Sequence, residues 1–449
     1  MLFDLAPTMT MLGLLAWFII QHRGRPLIQV YSLIVASYLN IFPTIDFLLV
    51  DGQGMDGFIY YQCLIITFFQ LPLLGVMHLS VAGVRRFSAA SEPAPARLSA
   101  WLPWFLGALL FVFWFVVFHY GLFFRRIGHE SLQLTTANVP ISLLYFYRIA
   151  VETSFFVIVY LWTTLSCVAN ESRYLLLYRS VLAAYLITFI FYFAINSRMQ
   201  LILMVLCMIC SQPRIAELFL KGRRLLLFGV FLVFFLLGIT LFRELLLEGN
   251  GRISTDTLSD MLLDAMRLIA GRLNSIVILY ELHEFGLDPW GFELSGMSHL
   301  LNFYLSFFID RATFDAIKES LVTSPSVEIV NRLLSDQQVD FPKSMILDMF
   351  LSFGVYGLLL TSVIIGNTVG WVQRQMATFR GFTPFFLLSL FALPMLLEFE
   401  KEFMGTFFAF LKWSPMLILL YWWRPRFDPG QGFGTNLKQG KTTQIGAVD

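Results

Sequence analysis

Eleven apolar runs, most of them close to the length that lets a helix cross a bilayer, divide this chain and leave few folds open to it. About 20 predominantly apolar residues span the hydrocarbon core as a helix. Runs of this kind fall near Met9–Ile20, Leu27–Phe47, Phe58–Val84, Trp101–Phe124, Ile141–Cys167 and Tyr174–Asn196. Others fall near Met199–Cys210, Leu225–Phe242, Met345–Trp371, Pro384–Leu397 and Phe403–Tyr421, the first and seventh of the set being short. In lipid every backbone polar group must be paired internally, so such runs predict helices. The expected fold is an all-α integral membrane protein of about 11 transmembrane helices, with roughly 10 to 13 as the range.

Charge supports this reading. Only 14% of the residues are charged and 57% are hydrophobic, 48 Phe among them. Soluble domains carry about 25% charged residues. A net charge of +1 speaks against a nucleic-acid footprint or a polybasic surface. Cys63, Cys167, Cys207 and Cys210 all sit inside apolar runs, as small apolar side chains do. Cys207 and Cys210 make a Cys-x-x-Cys without a soluble redox fold around it. Met1–Thr10 lacks the basic start of a cleavable leader.

Short loops rich in Lys and Arg mark the cytoplasmic side. Arg23 and Arg25 follow the first run, Arg85, Arg86 and Arg97 the third, Arg173 and Arg179 the fifth. Arg214, Lys221, Arg223 and Arg224 follow the seventh, Arg374 and Arg380 the ninth, and Arg424, Arg426, Lys438 and Lys441 the last. All are odd-numbered exits, which predicts an N-terminus outside and a C-terminus inside. Arg125 and Arg126 depart from the pattern. The chain divides into helices 1–8 over residues 1–242, a large outer loop over 243–343, helices 9–11 over 344–423 and a cytoplasmic tail over 424–449. Asn196-Ser197-Arg198 and Glu398–Glu402 fall on the same outer side as the large loop.

Within that loop, Ser259–Glu284 has the spacing of an amphipathic helix, with Leu262, Met266, Ile269, Leu273 and Ile276 on one stripe. Asp260, Asp264, Arg267 and Gly271 form a mostly polar stripe, and Arg272, Ser275 and His283 a second. Ser254 or Thr255 would cap its start and Gly286 its end. A helix of this composition lies at the membrane interface or dips into the bundle. The aromatic run from Trp290 to Arg311 reads as re-entrant or flat beneath the headgroups.

Ionisable groups at membrane depth cost about 2.5–3.5 kcal/mol on insertion scales, so each needs a reason. Arg198 reads either as a headgroup anchor or as a forked donor to phosphate. Arg243, beside Glu244, carries the same two readings. Arg267 and Arg272 lie on adjoining faces of the amphipathic helix, and Asp264 either pairs with Arg267 at i, i+3 or serves chemistry. His283 and His299, in the outer loop, are structural residues or bases able to titrate near neutral pH. Arg148 and Glu152, one turn apart, form a buried pair or line a cavity. Glu398, Glu400 and Glu402 fit a charge network balancing the arginines better than a metal site, because their spacing turns Glu400 away. No zinc spacing, nucleotide-binding loop, Asp-x-Asp pair or nucleophile elbow is present, so no metal and no cofactor is expected.

Three local patterns carry a resemblance. They are Asn196-Ser197-Arg198, then Gly271-Arg272-Leu273-Asn274-Ser275 with Gly296-Met297-Ser298 and the aromatic run to Arg311, then Phe341-Pro342-Lys343-Ser344 leading to Phe353-Gly354-Val355-Tyr356-Gly357. In order and spacing, over roughly residues 190–360, the chain resembles the Wzy-type oligosaccharide repeat-unit polymerases. Asp310 departs from the family, where many members have Pro before the Arg.

The resemblance implies a GT-C-like membrane glycosyltransferase acting on undecaprenyl-pyrophosphate-linked glycans at the periplasmic face of the bacterial inner membrane. The growing chain would pass to the sugar of a new lipid-linked unit, without metal or nucleotide. Arg198, Arg243, Arg267, Arg272 and, last, Arg311 would bind pyrophosphate. His283 or Asp264 would serve the acceptor hydroxyl, with Arg148, Glu152, Glu398, Glu402 and His299 in support. Implied partners are membrane lipid, a chain-length regulator and a flippase, with no nucleic acid. The alternatives are an O-antigen ligase, sharing architecture and donor, and a polysaccharide flippase or transporter.

Overall fold

The computed structural model describes residues 5–49, 55–82, 96–122, 139–168, 170, 172–193, 198–212, scattered positions between 224 and 241, and residues 258–273, 345–377, 381–398 and 414–427. Among these, six helices are long and apolar enough to cross a membrane: Pro26–Leu48, Gly57–Ser80, Trp101–His119, Ser142–Cys167, Leu175–Phe193 and Phe353–Ala377. Three shorter apolar helices, Ala6–Gln21, Gln200–Ser211 and Pro384–Leu397, join them. The eighth run is described only at scattered helical positions between 224 and 241, and the eleventh only over helical residues 414–422.

In chain order the elements are α1 (Ala6–Gln21), α2 (Pro26–Ala36), α3 (Phe42–Leu49), α4 (Met55–Ile65), α5 (Leu71–Ser80), α6 (Trp101–His119) and α7 (Ile141–Cys167). They continue with α8 (Leu175–Thr188), α9 (Arg198–Ser211), α10 (Leu258–Leu273), α11 (Met345–Ala377) and α12 (Pro384–Leu397). Pro26 and Pro384 open their helices where a missing N–H costs nothing. The Thr383 hydroxyl accepts from the Phe386 N–H at 3.2 Å and caps α12. Gly24 and Gly381, at φ 83° and 112°, turn the chain between α1 and α2 and between α11 and α12.

Three one-turn π-segments interrupt the spans. Ser37–Ile41 joins α2 to α3, Ile66–Gln70 joins α4 to α5, and Phe189–Phe193 ends the α8 span. Inside α11, Gly354 takes φ 59° and ψ −145°, which breaks the helix.

Contacts sort the helix ends into two sets. At one end, His22 Nε2 meets His78 Nδ1 at 3.2 Å and Arg25 Nη1 meets His22 Nδ1 at 2.8 Å. There too the Leu27 N–H donates to Gln373 Oε1, Tyr178 donates to the Ser99 carbonyl, and the pair Ala96–Arg97 and Arg426–Phe427 forms a two-residue antiparallel ladder. This is the end that carries Arg23, Arg25, Arg97, Arg173, Arg374 and Arg424, here called the basic end. At the other end, Leu5, Phe47 and Phe58 cluster, and Phe113, Tyr147 and Tyr192 pack. The alternation read from the loops therefore holds through the described helices.

The tightest seam runs between α5 and α11. A Cβ on Gly366 would stand 2.8 Å from Val76 Cγ1, and one on Gly370 would overlap Ser80 Oγ. The spacing of four residues puts both glycines on one helix face, where small residues let backbones approach closely.

Candidate functional site

Four ionisable residues singled out in the sequence fall at one end of the bundle, three of them in one layer. Gln212, just past α9, donates to the Trp162 carbonyl at 3.2 Å and to Ser166 Oγ, so α9 and α7 end together and run parallel. Arg198, where α9 begins, lies 14 residues before Gln212. Fourteen residues back from Trp162 and Ser166 on α7 stand Arg148 and Glu152, so at a common rise of about 1.5 Å per residue all three are level.

Helix α12 reaches the same end from the opposite direction. Phe382 lies tilted beside Tyr160 with centroids 5.5 Å apart, and Phe391 meets Phe156 edge-on at 5.0 Å. Advancing along α12 thus retreats along α7, the mark of antiparallel neighbours. Glu398, the C-cap of α12, lies seven residues beyond Phe391, and seven residues back from Phe156 is Ile149. Glu398 therefore lies toward the Arg148 end of α7. This end, away from the basic loops, holds two arginines and two carboxylates.

Arg148 and Glu152 are both exposed, on one helix face a turn apart. This corrects the buried-pair reading: neither side chain is covered, although Phe156, one turn further along the same face, is buried.

The second element at this end is α10. It packs against α3, beside the far end of the second span. The sequence predicts this helix over Ser259–Glu284; the described helix runs from Leu258 to Leu273, and the stretch beyond lies outside the described residues. Ala265 is fully buried, while Leu262, Leu263 and Met266 are 38%, 37% and 41% exposed. Close approach to α3 therefore uses the small residue, and Leu262, Leu263 and Met266 are presented outward. That is the arrangement of a helix lying at an interface rather than one swallowed by the bundle. Asp264 pairs with Arg267 at 3.5 Å, the i, i+3 contact expected, with Arg267 53% exposed. Arg272 occupies the last turn of α10.

The remaining candidates, Arg243, His283, His299, Arg311 and Glu402, lie outside the described residues, as do the expected caps Ser254, Thr255 and Gly286. Phe189–Phe193 ends its span with Tyr192, whose hydroxyl meets that of Tyr147 at 2.6 Å. Phe113 stacks on Tyr147 and meets Tyr192 edge-on. The aromatic trio ties α6, α7 and the end of the α8 span together, six residues before Arg198.

No known protein family, curated protein or solved structure matches the chain.

The site reasoning from sequence passed over a second polar group, within the spans. Asn40 and Gln70 exchange amide hydrogen bonds, and Gln62 donates to Asn40 Oδ1 at 3.0 Å and to the Leu39 carbonyl at 2.8 Å. Asn40, Gln62 and Gln70 are 0%, 1% and 0% exposed. Uncharged amides inside apolar runs are the signal that pointed to them, since such groups in lipid need partners.

Proposed function

We propose that the chain is an eleven-span, GT-C-like polymerase that joins undecaprenyl-pyrophosphate-linked oligosaccharide units at the periplasmic face of the bacterial inner membrane. What supports this reading is the common level of Arg148 and Arg198, with Glu398 toward the same end, where α10, with Arg267 and Arg272, packs on α3. A leaving pyrophosphate gains negative charge in the transition state, and preorganised guanidinium groups stabilise that charge. Arg offers a planar fork to phosphate oxygens, which Lys cannot copy. The carboxylates of Glu152 and Glu398 offset the arginines when no donor is bound, and in this reading Asp264 or His283 accepts from the acceptor hydroxyl. Arg243, Arg311, His283, His299 and Glu402 belong to the same proposal through the resemblance of their segments.

The test is the lipopolysaccharide ladder of a deletion strain complemented with wild type, Arg198→Ala or Arg198→Lys. Single repeats attached to core in the deletion and in both variants, with normal membrane levels of protein, support polymerisation with forked phosphate binding. Polymer built but left on its lipid carrier points to the ligase instead.

One observation favours a second reading. The break at Gly354 and the two π-segments within the bilayer are discontinuities of the kind that line transport sites. Purified protein in detergent separates the two readings, because a polymerase extends lipid-linked units without a sealed membrane and a flippase does not.

A further inference from the structure

Three neighbouring spans lose their helical regularity at the same depth. Counted from the α10 end, the first π-segment stops seven residues inside Leu48, the second starts nine residues inside Gly57, and Gly354 stands nine residues inside Met345. At about 1.5 Å per residue the three irregularities share a plane roughly 10–14 Å below that end. They also touch: α11 packs against the second π-segment, and Tyr61 meets Phe350 edge-on at 5.9 Å just before the break.

Side chains mark the plane as well. A π-turn shifts the backbone ladder, and amides take up carbonyls beside it: Asn40 Nδ2 reaches the Val35 oxygen at 3.5 Å and Gln62 Nε2 the Leu39 oxygen at 2.8 Å. Asn40 and Gln70, one from each π-segment, then bridge the two spans. Kinks and π-bulges are the places where long helices bend, and π-bulges gather at functional sites.

The two sides of the plane are held differently. Towards the basic end, Gly366 and Gly370 seat α11 hard against α5, the Leu27 amide is tied to Gln373, and His22 joins Arg25 to His78. Towards the other end Phe47 stacks on Phe58 at 4.5 Å and Tyr61 meets Phe350 edge-on, ring contacts that hold α3, α4 and the start of α11 to one another. Helix α10 rides on α3, beyond the plane.

We propose that the Asn40–Gln62–Gln70 layer is a hinge, about which α3, α4 and the Met345–Phe353 stretch of α11 tilt as one body and carry α10 with them. The closed form is the one in which Asn40 and Gln70 are bridged; tilting lengthens that bridge and opens the bundle beside α10. The hinge does not rest on the polymerase reading, and its test uses no substrate.

Full-length protein in nanodiscs, with Cys63, Cys167, Cys207 and Cys210 replaced by Ser, is spin-labelled in pairs and read by pulsed dipolar spectroscopy. Leu48 and Phe118, exposed on α3 and α6, report across the plane, while Leu79 and Leu176 report at the basic end. Expected are two distances for the first pair and one for the second. Asn40→Leu, which removes the bridge, should shift the ratio of the two distances by about fivefold, the effect of roughly 1 kcal/mol. Gly354→Ala, which disfavours the broken backbone at φ 59°, should collapse the first pair to one distance and serves if Asn40→Leu does not fold. A single narrow distance for both pairs in the wild type overturns the hinge, as does a ratio that neither substitution moves.

Discussion

Asn40 and Gln70 sit on neighbouring spans, each within a π-turn, and exchange two amide hydrogen bonds, Nδ2 to Oε1 at 3.1 Å and Nε2 to Oδ1 at 3.5 Å. Both residues are fully buried. The pair is reciprocal, so neither amide can be removed without stranding part of the other.

That reciprocity predicts a non-additive mutant cycle. Gln70→Leu alone should destabilise the protein by about 1–2 kcal/mol, because Asn40 keeps its polar groups in an apolar setting. Adding Asn40→Leu should cost less than the sum of the two singles, leaving a coupling of about 0.5–1.5 kcal/mol. Steric-trap unfolding in bicelles measures all four corners of the cycle, and strict additivity would contradict the reciprocal pairing.

The α5–α11 seam predicts a steeper response to size. Gly370→Ala forces a methyl into the space of Ser80 Oγ, and Gly370→Leu leaves no rotamer free of it. Overpacking of this kind costs about 1–3 kcal/mol for the smaller change. Combining Gly370→Ala with Ser80→Gly should restore most of the loss of thermal stability, whereas the same Ser80→Gly in the wild-type background should lower it.

Asp264 and Arg267 predict a separation of stability from function. Their ion pair is 3.5 Å long and solvent-exposed, so Asp264→Asn should change the melting temperature hardly at all, in keeping with the roughly 0–1 kcal/mol of surface pairs. Under the polymerase reading, both Asp264→Asn and Arg267→Ala shorten the polysaccharide ladder at unchanged protein level. Normal ladders from both variants would remove α10 from the site.

His22 predicts a dependence on pH. It is 2% exposed, and burial, then the Arg25 guanidinium, then His78 hold it down at about 4. A histidine lowered in the fold is kept neutral there, while the unfolded chain takes up a proton near 6.5. Its share of stability is therefore full above about pH 6.5 and is lost as pH falls towards 4, by up to about 3 kcal/mol. Melting curves between pH 7.5 and 4.5 should show His22→Gln flatter than the wild type over this window.

How much of this was legible in the sequence follows from what lipid does to hydropathy. For the six described helices long and apolar enough to cross a membrane, run length recorded the span directly and loop charge the alternation of the ends. The side of each helix that faces its neighbours was not legible: Phe111 is 72% exposed and Phe113 1%, yet both are phenylalanines in one run. Where the surroundings are as apolar as the core, amphipathic periodicity loses its meaning.

The candidate site divides in the same way. That Arg198 and Glu398 face one side was visible from loop positions. That Arg198 is level with Arg148 was not, because it depends on α9 running alongside α7, a matter of pairing between runs of similar composition. Asn40, Gln62 and Gln70 were visible as amides within apolar runs, but a straight 3.6-residue helix gives no reason for them to meet. The π-turns that bring them together have no sequence signature of their own.

The seam that joins Gly366 to Val76 also sets a timetable for biogenesis. Those residues are 290 positions apart, and at about 5–20 residues per second the ribosome needs roughly 15 to 60 s to deliver the second after the first. Throughout that wait the early spans reside in lipid without the helix that will cover them. Asn40 and Gln70, only 30 positions apart, can find each other as soon as their own hairpin has inserted. The amide pair thus gives the nascent hairpin a polar partner of its own while it awaits the late-arriving helix.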